Sequence, residues 1–162
     1  MRLTYKNFRI PNGPLISSTG FRGEEQRMEG FIQALNHRAP YLQVRAVSEG
    51  YGIDTLTFKQ MCTALEQDHS IHSVYSVGGG NSAVLQAFTA MQRDIKVFIG
   101  HDLDEENRKL LTAEEMDAVI DHDLHEDARS AFGAILRFHG FLPETEDETA
   151  SSRVIVVTPF NI

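Results

Sequence analysis

The chain has a single cysteine, Cys62, among 162 residues, so no disulfide can form within it. A reducing compartment, the cytoplasm, is the expected location. At this length a domain buries somewhat under ~70% of the surface its unfolded chain exposes, enough to fold without a covalent staple. Positive charge is scarce as well: 15 Lys and Arg stand against 23 Asp and Glu, for a formal net charge of -8. That is the wrong sign for holding a phosphate backbone unless basic residues gather in one patch, and the sequence has no such patch. Long apolar runs are missing too. None approaches the ~20 residues that a bilayer span requires. Residues 1–14 mix Arg2, Lys6 and Arg9 with apolar side chains and lack the continuous apolar core of a signal peptide. No membrane partner is therefore expected. What is present, 41% hydrophobic and 23% charged residues, is the composition of one globular domain and excludes disorder of the whole chain.

Short β-rich runs alternate with longer amphipathic segments, the pattern of βαβ units in a mainly parallel sheet. Strands are predicted at 15–18, 42–48, 73–77, 97–99, 118–121 and 154–158. Residues 24–37 align Met28, Phe31, Ile32 and Leu35 on one helix face, and the next segment does the same with Phe58, Met61, Leu65 and Cys62, which makes Cys62 a core residue. A third helix, capped by Asn81 or Ser82, carries Val84, Ala87, Phe88 and Met91. Asp104 caps a short fourth with Leu110 and Leu111. A fifth follows His122, carries Ala128, Ala131, Phe132, Ile135 and Leu136, and stops at Gly140. The expected fold class is α/β, three layers with a parallel sheet and helices on both faces. Residues 1–14 read as a poorly tied segment, 15–142 as the α/β lobe, and 143–162 as an acidic connection and terminal strand. The chain is still apolar at Ile162, and the expectation drawn from this is that a longer natural protein has been cut.

In an open parallel sheet the ligand lies beyond the carboxyl ends of the strands, so the residues just after each predicted strand come first. They form a polar set at 17–27, 49–52, 78–82, 100–102 and 121–123. Asn, Asp, Arg, His and an aromatic plane are the groups that bind a polyhydroxylated small molecule. Arg27, on the polar flank of the first helix, can reach the crevice with its guanidinium fork, and Tyr51 can stack. The glycines at 78–80 lack the spacing and the Lys-Ser/Thr ending of a nucleotide loop, and a sharp strand-to-helix turn accounts for them. His101, Asp102, Asp104, His122, Asp123, His125, Glu126 and Asp127 are ligand types that suit zinc or manganese. The acids that open the fifth helix, however, are favoured there by the helix dipole without a metal. No metal and no cofactor are expected. No Gly-x-Ser-x-Gly elbow occurs, no catalytic residue is assigned, and the chain reads as a binding module, not an enzyme.

Four stretches together resemble the effector-binding domain of LacI/GalR-type transcription regulators. They are Gly23-Glu-Glu-Gln-Arg-Met-Glu-Gly-Phe31, Ser73-Val-Tyr-Ser-Val-Gly-Gly-Gly-Asn-Ser-Ala-Val-Leu-Gln-Ala87, Val97-Phe-Ile-Gly-His-Asp102 and Leu110-Leu-Thr-Ala-Glu-Glu-Met-Asp-Ala-Val-Ile-Asp-His-Asp123. The resemblance implies a periplasmic-binding-protein type I-like lobe, chiefly the second of two, that senses a small-molecule effector: a sugar, polyol or sugar acid. It makes Arg27 the arginine that grips the effector and Asp102 the acid that takes sugar hydroxyls. Asn81 and His122 would add directional hydrogen bonds, and Tyr51 an apolar face. His122 stands where the family usually has Gln, and Gly80-Asn81 where many members have Asn-Asp. A homodimer is implied, with DNA bound only through a reading head that these residues lack. An extracytoplasmic sugar receptor of a transporter shares the fold and the polyol chemistry, and a metal-dependent hydrolase using His101, Asp102, His122 and Asp123 is the enzyme alternative.

The charge balance and the missing reading head lead to a first prediction. This chain should show no operator-specific band shift at physiological salt with competitor DNA, and a shift that survives both would contradict the reading.

Overall fold

Runs rich in β-branched and aromatic residues form the centre of the sheet in the computed structural model, which describes residues 14–15, 22–47, 50–143 and 152–162. In chain order the elements are β1 (Pro14–Leu15), α1 (Arg22–Arg38), α2 (Asp54–Gln67), β2 (Ser73–Ser76), α3 (Asn81–Ala90), β3 (Val97–His101), α4 (Glu105–Thr112), β4 (Ala118–His122), α5 (Leu124–Phe138) and β5 (Val154–Val157). The strands lie side by side in that order. β1 to β4 are parallel, and β5 pairs antiparallel with β4.

Alternate strand residues face opposite sides of the sheet. On one side Val74, Phe98, Val119 and Val157 pack with Met61, Ala64 and Leu65 of α2, Val84, Ala87 and Phe88 of α3, and Leu110 and Leu111 of α4. On the other, Tyr75, Val77, Ile99 and Ile120 meet Met28 and Phe31 of α1. Helices thus flank both faces of a mainly parallel sheet, and the α/β class read from the sequence holds. Cys62 packs against the main core while keeping partial exposure.

Local chemistry corrects the sequence reading at four places. Residues 42–47 form no strand, only one bridge at Val47, because β-propensity without a neighbouring ladder does not make a strand. β5 runs against the parallel direction because the chain has already returned to the start of α5: Ser152 Oγ donates to Asp127 at 2.8 Å before β5 begins. The cap of α3 is neither Asn81 nor Ser82 but Gly80, at φ 85°, where a Cβ would stand 2.8 Å from Thr57 Oγ1. α5 is helical as expected, with Asp123 capping it at the Glu126 N–H, but it buries no residue fully. Its half-buried line runs through Asp127, Ser130, Leu136 and Arg137, leaving Phe132 62% and Ile135 55% exposed. Residues 1–13, 16–18, Ser48 and 144–151, parts of other predicted segments, lie outside the described residues.

The two ring environments differ enough to test. Phe98→Ala should lower unfolding free energy by about 3–5 kcal/mol and Phe132→Ala by no more than about 0.5 kcal/mol, read from urea denaturation midpoints.

Candidate functional site

Because β2, β3 and β4 are parallel, their carboxyl ends share one edge, and residues 78–82, 100–102 and 121–123 follow one another along it. Asp102 is the centre of this edge. Its carboxylate accepts Nη1 and Nη2 of Arg27 at 3.3 and 3.4 Å and faces Nε2 of His122 at 2.9 Å. Arg27 also donates to the carbonyl of Val77, just past β2, at 3.4 Å. The other ring nitrogen of His122, Nδ1, meets Asp127 Oδ2 at 3.0 Å. The side chains of Arg27 and His122 are 29% and 27% exposed and that of Asp102 49%, so the group is anchored yet reachable.

A carboxylate oxygen can only accept, and a neutral imidazole has only one N–H to offer. With a carboxylate at each ring nitrogen, His122 is fully satisfied only as the imidazolium. The hydrogen bond to Asp102, then that to Asp127, holds its pKa above the usual histidine value, and partial burial opposes them. The stabilisation follows the sign of that shift: it is complete below the unfolded value of about 6.5 and is lost as pH rises through the higher folded value.

His101, on the next strand, behaves in the opposite way. It is 8% exposed, and burial, helped by the Arg27 charge, depresses its pKa to about 4. Its Nε2 is bonded to the Tyr75 hydroxyl, whose own pKa burial raises. The phenol therefore donates, and the neutral ring keeps its proton on Nδ1. Phe31 stacks on Tyr75 at 4.2 Å between ring centroids, which ties α1 to the floor of the site.

The sequence candidates thus divide. Arg27, Asp102 and His122 come together. Tyr51, 59% exposed at φ 53°, sits beside Gly52, and Gly52 packs against Gly79 in the loop after β2. Asn81, expected to present its amide to a ligand, is 1% exposed and donates instead to Asn107. Its Oδ1 is buried without a hydrogen-bond partner. Asn107 and Glu106 were not singled out, since a polar residue in a helix's first turn gives no sign of what it reaches across the fold. The sequence presents Asp127 as a dipole-favoured acid, and its bond to His122 depends on how the chain turns from β4 into α5. Glu106 accepts the Ser82 N–H at 2.8 Å, so an internal carboxylate occupies the start of α3. Among the described residues no three His, Cys, Asp or Glu side chains gather as metal ligands.

The family model described as the periplasmic binding protein domain matches residues 15–138. Similar solved structures include AraP, an arabinose binding protein from Geobacillus stearothermophilus, at 16% identity and a TM-score of 0.76, covering 93% of this chain and 55% of that one. GanP, a glucose-galactose binding protein from the same organism, shares 14% identity at a TM-score of 0.82, with 94% and 54% covered. A protein assigned as a LacI transcriptional regulator from Bacteroides fragilis shares 12% at 0.75, again with 94% and 54% covered. The chain therefore spans about half the length of these structures. No curated protein sequence matches it.

The two histidines generate the prediction of this site. In a proton NMR titration, His122, assigned through His122→Gln, should have its midpoint above 6.5 and His101 one near 4. Asp127→Asn should move the His122 midpoint down; an unshifted midpoint would remove the double carboxylate clamp.

Proposed function

The chain belongs to the periplasmic binding protein domain family, and on that basis we propose that it is the effector-sensing lobe of a LacI-type transcription regulator, binding a sugar, polyol or sugar acid. The observation that carries this reading is the Arg27, Asp102 and His122 cluster at the carboxyl edge of the sheet. A hydroxyl both donates and accepts, so a polyol can insert between the guanidinium and the carboxylate and satisfy each without stranding a charge. Tyr51 offers the apolar face that a sugar ring needs. The chain performs no catalysis, resides in the cytoplasm and pairs as a homodimer. Lobe closure in the complete regulator would shift DNA-reading heads borne outside these residues, a coupling between two sites.

The four LacI-like sequence stretches favour the regulator. The fold likeness to AraP and GanP, named for binding arabinose and glucose-galactose, favours the second reading, an extracytoplasmic sugar receptor of a transporter. A DNA-reading head at the start of the full gene would support the first, and a secretory signal the second.

A thermal-shift panel of arabinose, glucose, galactose, allose, polyols and sugar acids should raise the melting temperature of the full-length protein with at least one member. Arg27→Ala and Asp102→Ala should each weaken that ligand's affinity by roughly tenfold to a hundredfold, the worth of a charge-assisted hydrogen bond, while the fold is retained. Calorimetric affinities unchanged in both variants would overturn the assignment.

A further inference from the structure

Asn107 lies in the first turn of α4 at 1% exposure, and its whole amide is engaged. Its Oδ1 accepts from Asn81 Nδ2 at 2.7 Å, and its Nδ2 donates to the carbonyls of His101 at 2.9 Å and Asp102 at 2.8 Å. The two backbone carbonyls, which can only accept, settle which way round this amide lies. Reversed, it would set one NH2 against another and an oxygen against two carbonyls.

Along an extended strand consecutive carbonyls point to opposite sides. Those of His101 and Asp102 converge on one nitrogen because the chain folds back at Asp102, whose φ of 63° is in the left-handed region that non-glycine residues enter seldom. The neighbouring backbone closes the turn: the Asp102 N–H donates to the Ile120 carbonyl, and the Asp104 N–H to the Asp102 carbonyl, both at 2.9 Å.

We propose that Asn107, held by Asn81, is the positioning residue that keeps Asp102 in its left-handed conformation and so aims the Asp102 carboxylate at Arg27 and His122. Its bearing on ligand binding rests on the sugar-sensing reading, whereas the geometry it asserts is tested without ligand. Without the Asn107 amide the two carbonyls lose their shared donor, Asp102 relaxes toward extended backbone, and its carboxylate swings away from His122.

The readout is the His122 titration midpoint of the ligand-free protein by NMR. Asn107→Ala should move it down toward the ordinary value of about 6.5. Leu110→Ala, a truncation in the main core on the same helix, should destabilise the fold and leave the midpoint in place. A folded Asn107→Ala variant with an unmoved midpoint overturns the proposal, and so does an equal shift in Leu110→Ala. Should Asn107→Ala not fold, the native protein still decides. The Asn107 side-chain amide protons should exchange with solvent far more slowly than those of exposed Asn36, and equal rates would refute the strut. Failure of every sugar in the thermal-shift panel would count against the sensing reading alone, leaving the result on Asn107 intact.

Discussion

The carboxylate of Asp102 is the acceptor shared by an arginine from α1 and a histidine from β4, and through that histidine it is joined to α5. Two cations stand on either side of it. Without it, Arg27 and His122 would face each other across a partly desolvated crevice, where like charges repel more strongly than in bulk water. The backbone is shaped to the same end. A left-handed aspartate at the end of a strand is conformationally costly, and the hydrogen bonds it receives from Asn107 and Asp104, with the one its N–H donates to Ile120, gather around that one residue to keep it there.

The layer structure was legible because periodicity encodes which side of an element meets the core. The 3.6-residue stripes of α1 and α2 and the β-rich runs at 73–77, 97–99 and 118–121 each mark elements that pack on their neighbours. Periodicity misleads where an apolar stripe is left uncovered. On α5 the apolar stripe through Phe132 and Ile135 predicts an inward face, but the half-buried line carries Asp127, which accepts from His122, and that stripe faces outward. The direction of β5 was illegible for a related reason, since it depends on where the chain has travelled before the strand starts.

The site was legible in part. The rule that ligands gather beyond parallel strand ends located Arg27, Asp102 and His122, because it needs only the order of strands and the residues after them. The same rule points to Asn81, which opens α3 after β2 and is buried there, its amide bonded to Asn107. The same limit applies to the histidines. His101 and His122 lie on adjacent parallel strands, yet one is neutral against a tyrosine and the other is clamped between carboxylates. Their difference rests on Tyr75 and Asp102, which earlier segments contribute and no local pattern contains.

Glu106 fills a place that the glycines alone would leave open. A helix start beside a glycine run attracts phosphate through its free N–H groups and its dipole. Here the Ser82 N–H is already given to the Glu106 carboxylate, so an incoming phosphoryl group must expel an anion covalently tethered to the protein and then sit beside it. A phosphoryl group would thus meet a resident competitor at the very place where the backbone would otherwise welcome it.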